Sequence, residues 1–154
     1  MNEEMKFNYQ HKLEQLKEYF GFDFVGLALV QPAENQFSLK WEYSVGNISN
    51  RYKKVTLQSG KGVAGTVFKT GKAMLVQEVE ELYGKSDLFT YPIVVAENIK
   101  SFGAIPLYKY NRVKGVLLVG YREEKRMTCE EFERLNIEIG PRFGPFYNKE
   151  MVKH

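Results

Sequence analysis

One cysteine, two histidines, two aspartates and one tryptophan stand in a chain of 154 residues. The lone thiol, Cys129, excludes an internal disulfide, a zinc knuckle and an iron–sulfur cluster. The histidines are His11, on a polar helix face, and the final residue His154; the aspartates are Asp23 and Asp87. No Ser-His-Asp order, HExxH motif or Walker loop is present, so the inventory argues against an enzyme. Cys129 falls in the first turn of the last helix. No resolving cysteine or sequence-adjacent histidine accompanies it. No apolar run approaches the ~20 residues that cross a bilayer. Residues Met1 to Lys6 lack the charged-then-apolar order of a signal peptide, and a cytoplasmic protein is expected. The net charge is +3, with Lys and Arg scattered along the whole chain. Without a dense basic run, neither nucleic acid nor a membrane surface is an expected partner.

What is present suffices for one domain over residues 1–154. Apolar residues make up 44% and aromatics 14% of the chain, enough for a core without covalent staples. The stretch that organises the rest is Gly60-Lys61-Gly62-Val63-Ala64-Gly65-Thr66-Val67-Phe68-Lys69-Thr70-Gly71. It follows a strand-like run, Tyr52 to Leu57. Gly60 and Gly62 permit a sharp turn, Val63, Val67 and Phe68 recur at helical spacing, and Gly71 is placed as a C-cap. This predicts a glycine-lined helix N-terminus with unpaired N–H groups and partial positive charge, able to take a small anion. The same pattern also suits a tight loop that packs a short helix on a sheet.

Around it the chain alternates between recognisable elements. Met5, Tyr9, Leu13, Leu16 and Phe20 lie on one helical face, closed by Gly21. Phe22 to Val30 reads as a strand, and residues 31–35 as a turn. In the next strand Phe37, Leu39, Trp41 and Tyr43 alternate with Ser38, Lys40, Glu42 and Ser44, which predicts one inward face. Trp41 is then either core filling or a pocket wall with one N–H to offer. A short strand over residues 73–76 precedes an acidic, loosely patterned connection over residues 77–93, a lid over either the core or a ligand. Its stiffest part is Tyr91-Pro92-Ile93, because Pro92 fixes its own φ and biases Tyr91 to extended backbone. Two long strands over residues 101–107 and 113–121 form a hairpin, the second apolar enough to lie centrally in the sheet. Thr128-Cys129-Glu130-Glu131 predicts a capping box at the last helix, whose stripe is Phe132, Leu135, Ile139, Phe143 and Phe146. Pro141 and Pro145 should end that helix near Gly140. The two terminal helices suggest a surface for a partner or a homodimer, with Leu13 and Phe146 as candidate contacts.

Three segments resemble the signatures of GAF domains, in the family's order. They are the glycine–helix stretch Gly60 to Lys72, the pair Ile99 to Leu107 and Arg112 to Val119, and Met127-Thr128-Cys129-Glu130-Glu131-Phe132 at the start of the last helix. The resemblance covers nearly the whole chain. It implies an α+β fold with a central antiparallel sheet of five to six strands, terminal helices on one face and a ligand pocket under loops on the other.

Members of that family bind different ligands, so the lining residues decide. Cyclic-nucleotide binders carry an asparagine–lysine pair where this chain has Val119-Gly120-Tyr121-Arg122. Bilin binders and the free methionine sulfoxide reductases use cysteines that the pocket and lid here lack. With Trp41 and Tyr91-Pro92-Ile93, the chain is similar to the family's stand-alone nitrate receptors, which accompany a sensor histidine kinase. That resemblance implies nitrate as ligand and no cofactor or metal. The backbone N–H groups of Val63, Ala64 and Ile93 and the Trp41 indole would serve as donors, with Tyr91 and Pro92 as the shield. Two alternatives remain: a GAF module for another small molecule or anion, and a methionine sulfoxide reductase-like activity through Cys129.

Overall fold

The structure is a computed structural model that describes residues 7–31, 38–54, 56–80, 91–123 and 127–148. Met5, Phe37, Asp87, His154, most of the turn after Gln31 and residues 81–90 of the acidic connection lie outside the described residues.

Six strands form one antiparallel sheet in the order β3-β2-β1-β6-β5-β4. The strands are β1 (Phe24–Gln31), β2 (Ser38–Val45), β3 (Thr56–Gln58), β4 (Met74–Val76), β5 (Ser101–Lys109) and β6 (Arg112–Tyr121). The apolar run in β6 has its expected cause: the strand lies between β1 and β5 and is covered on both faces. The β5–β6 turn is tighter than expected. It consists of Tyr110 and Asn111 at φ 55° and 62°, the left-handed pair that a right-twisted hairpin needs.

One face of the sheet carries α1 (Tyr9–Phe20) and α4 (Cys129–Ile139). Leu13 and Leu16 of the first helix and Leu135 and Ile139 of the last pack with Val25, Leu27, Ile105, Leu107, Leu117 and Val119. Asn8 caps α1 by accepting from the His11 N–H at 3.0 Å, and Gly21 closes it in left-handed backbone at φ 80°. Phe143 and Phe146 belong to the same cluster but follow α4, which stops at Gly140. Their backbones exchange two hydrogen bonds across a turn at Gly144. The two candidate contacts of the expected partner surface are corrected here. Leu13 and Phe146 are interior residues that hold the terminal segments on the sheet. The exposed apolar side chains of the two helices are Tyr19 and Ile137.

The opposite face carries α2 (Gly62–Thr70) and α3 (Pro92–Ala96). Three sequence expectations change on or near it. Tyr52 to Lys54 form a 3-10 turn rather than strand; the turn drops Tyr52 into the core, and pairing with β2 begins only at Thr56. The segment after Tyr91, expected as loop, is the short helix α3 with Pro92 at its first turn, where a missing N–H costs nothing. The alternation of β2 breaks at Glu42, an extra residue between the pairs Leu27–Tyr43 and Ala28–Trp41. Leu39 and Trp41 share the α2 face as expected, but Tyr43 turns to the α1 face, its ring 5.3 Å from that of Tyr9. Ser44 turns the other way: it pairs with Gly26, is buried, and lies on the Trp41 face.

Candidate functional site

The site forms where α2 and α3 meet the sheet face that bears Trp41. Two glycines bring α2 into place. Gly62 has φ +67°, and a Cβ there would stand 2.9 Å from the Leu57 side chain. At Gly65 a Cβ would stand 2.2 Å from the Gln58 carbonyl oxygen, so any larger residue would lift the helix off β3. The first intrahelical bond runs from the Gly65 N–H to the Lys61 carbonyl at 3.1 Å. The N–H groups of Val63 and Ala64 precede it, in the turn where no intrahelical acceptor exists. Lys61, the N-cap residue, supplies no side-chain acceptor either. Both residues are fully buried, so these donors and the positive end of the helix dipole lie in the interior.

Trp41, on β2, belongs to the same buried cluster. Its side chain is among the largest fully buried ones, and its ring lies over Gly26, where a Cβ would come within 3.3 Å of Cε3. The indole Nε1 is buried and has no hydrogen-bond partner. An orphaned buried donor costs about 1–3 kcal/mol, and native interiors tolerate few of them. The same cluster includes Ile93 at the first turn of α3, whose N–H likewise precedes the intrahelical bonds. Tyr91, half-buried, packs against that cluster, as does Met74.

Of the six residues expected at the site, the fold thus gathers Trp41, Val63, Ala64 and Ile93 in one buried cluster with Tyr91 at its margin. Pro92 is exposed and not part of the cluster; it starts α3 rather than lining the interior. Sequence reasoning missed two polar residues on this face. Glu97, at the C-terminal end of α3, is fully buried and ion-paired with Arg122 at 2.6 Å. Ser44 is buried with its Oγ unpartnered. A helix start at Pro92 would have marked Glu97 as its end, but Ser44 is turned inward only by the bulge. Among the described residues no group of three or more His, Cys, Asp or Glu side chains is placed to hold a metal. Cys129 is exposed at the first turn of α4, on the other face of the sheet. No helix in the described residues is long and apolar enough to cross a membrane.

A curled antiparallel sheet with helices on both faces and a glycine-led helix packed on one of them is the architecture of a GAF domain. The chain belongs to the GAF domain family, whose model matches residues 9–137. No curated protein matches the chain. Among solved structures it is similar to NreA from Staphylococcus aureus mutated in its nitrate-binding site. One such structure is 36% identical, covers 78% of this chain and 87% of that one, and gives a TM-score of 0.74. A second is 33% identical, covers 82% and 96%, and gives a TM-score of 0.73. A free methionine-R-sulfoxide reductase from Neisseria meningitidis shares the fold at 22% identity and a TM-score of 0.64, covering 82% of this chain and 68% of that one.

Proposed function

We propose that this chain is a nitrate receptor. The observation that carries the reading is the buried, unpartnered Trp41 indole N–H, which shares a cluster with the uncapped first turn of α2. The similarity to NreA supports nitrate as the anion. Nitrate is planar, singly charged and weakly hydrated, and each oxygen accepts hydrogen bonds. Removing such an ion from water is offset only where donors replace the lost hydration. Trp41 Nε1 and the N–H groups of Val63, Ala64 and Ile93 are four donors in one apolar cluster, with the helix dipole adding field. A neutral aromatic wall disfavours sulfate, which carries twice the charge and holds its water more tightly. The protein acts by binding and not by catalysis, and works in the cytoplasm beside a sensor histidine kinase.

Signalling follows if nitrate binds one conformation of the domain more tightly than another, because a ligand shifts only what it discriminates. The terminal helices, with Tyr19 and Ile137 outward, offer apolar surface for a second copy or the kinase.

Thermal unfolding with nitrate, nitrite, chloride, sulfate and cyclic nucleotides tests the ligand. Nitrate at a hundredfold over its Kd should add about 2.7 kcal/mol, raising the midpoint by several degrees. An equal shift with every anion, or none with nitrate, overturns the reading.

A further inference from the structure

α3 has only five residues, too few to hold a helical shape or position by itself. Its placement is set by what grips its ends, and the grip at its C-terminal end is polar. Glu97 Oε1 accepts from the Ile48 N–H at 2.8 Å and from Arg122 Nη2 at 2.6 Å. Arg122 Nε donates to the Glu97 carbonyl at 2.8 Å and Nη1 to the Asp23 carbonyl at 3.1 Å. The Arg122 backbone N–H donates to Asp23 Oδ2 at 2.8 Å. One guanidinium therefore ties the end of α3 to the residue before β1 and the residue after β6. The carboxylate ties it also to the chain leaving β2, the strand that carries Trp41. The Glu97 N–H in turn donates to the Ile93 carbonyl at 3.0 Å, so the clamp lies one helical turn from Ile93.

Stability alone is a poor reason for this arrangement. The Glu97 side chain is fully buried, yet its Oε2 has no hydrogen-bond partner. Buried ion pairs often do no better for stability than apolar residues of the same volume, and a bare carboxylate oxygen adds a further cost. What the pair does provide is direction: a forked, charged contact allows far fewer placements of α3 than greasy packing would.

We propose that Glu97 is a positioning residue for the anion site. Acting through α3, it fixes where Ile93 stands against Trp41 and α2 without touching the ligand. The inference rests on the nitrate reading above.

The test is Glu97→Gln, which keeps an oxygen for the Ile48 N–H and removes the charge that holds Arg122. Nitrate titration is paired with amide hydrogen exchange. The variant should bind nitrate about tenfold more weakly. The amides of Val94 and Ile99, bonded at 3.0 Å to Tyr91 and Val94 carbonyls, should exchange faster while those of β5 and β6 stay protected. Charge alone predicts the opposite change in affinity, because the variant loses one negative charge on this face. Unchanged or tighter nitrate binding, or a uniform loss of protection across the sheet, overturns the proposal. Should the variant fail to fold, Arg122→Lys keeps the charge but loses the fork, and the same two results are expected and judged in the same way. A wild-type chain that binds no nitrate overturns the ligand reading instead. The clamp is then judged by exchange alone: local loosening of α3 supports it, and unchanged protection of α3 overturns it.

Discussion

Both faces of the sheet bury an apolar cluster, but they treat polar atoms differently. Under α1 and α4 the buried polar groups are paired. The Tyr121 hydroxyl donates to Glu131 Oε2 at 2.6 Å, Asn148 Nδ2 donates to Asn136 Oδ1 at 2.8 Å, and Ser101 Oγ accepts from the Met127 N–H at 3.2 Å. Under α2 and α3 lie Trp41 Nε1, Ser44 Oγ and Glu97 Oε2, the three buried side-chain polar atoms without a partner among the described residues. Aromatic side chains, by contrast, are buried on both faces. Phe7, Tyr9, Phe143 and Phe146 pack edge-on or tilted in a continuous group on the first face, with ring centroids 4.8–6.3 Å apart. The second face buries Phe24, Tyr52, Phe102 and Tyr108 besides the Trp41 indole. A face made for stability closes its hydrogen bonds within the fold. The face that leaves the Trp41 N–H open is the one on which the anion is proposed to bind.

The largest expected effect breaks the comparison if it fails. Leu13→Ala removes a fully buried side chain of α1 from the structural face and should destabilise the fold by about 2–5 kcal/mol, read by urea denaturation. Nitrate affinity, measured below the transition, should not change. If affinity falls with stability, the two faces are one coupled unit and the division drawn here is wrong.

Trp41→Phe is the converse. It removes an orphaned donor along with some packing, and these offset each other to within about 1 kcal/mol of unfolding free energy. A hydrogen bond to a charged ligand contributes about 1.5–3 kcal/mol, so nitrate affinity should fall roughly tenfold to a hundredfold by calorimetric titration. A large loss of stability with unchanged affinity would make Trp41 a plain core residue.

The same division explains what could be read from the chain beforehand. The structural face was legible because its devices are local. The α1 stripe, the Gly21 cap, the long strands β5 and β6 and the Thr128 cap each show within a dozen residues. The open face was legible at α2, whose glycines are demanded by positive φ and close approach. Elsewhere it depends on departures from period. A bulge at Glu42 sends Tyr43 and Ser44 to faces that strict alternation forbids, and nothing in a period-two pattern announces an extra residue. A five-residue helix is too short to show periodicity. Glu97 finds Arg122 across 25 positions and Ile48 across 49, contacts that exist only once the sheet order is known. Half of the expected capping box failed for a related reason. The Glu131 N–H does donate to Thr128 Oγ1 at 3.0 Å, but the Glu131 carboxylate is engaged by Tyr121 from β6.

That last contact supplies the smallest and most specific test of the closed face. Burial pushes the Tyr121 hydroxyl well above its ordinary value near 10, and the hydrogen bond and negative charge of Glu131 push it further. The folded state therefore keeps this proton at pH values where the unfolded chain has begun to release it. Above about pH 10 the unfolded state binds fewer protons than the folded one, so stability must fall as pH rises, by at most ~1.4 kcal/mol per unit for one group. Below that value Tyr121 contributes no pH dependence. Tyr121→Phe should lower stability at neutral pH by about 1–3 kcal/mol, since it leaves the nearly buried Glu131 carboxylate without its donor. It should also flatten the alkaline limb of the stability curve, as measured by urea denaturation between pH 8 and about pH 11. Nitrate binding should be the same in both proteins at neutral pH. An alkaline limb as steep in the variant as in the wild type would mean that the Tyr121–Glu131 bond does not hold its proton, and the closed face would have an open polar pair of its own.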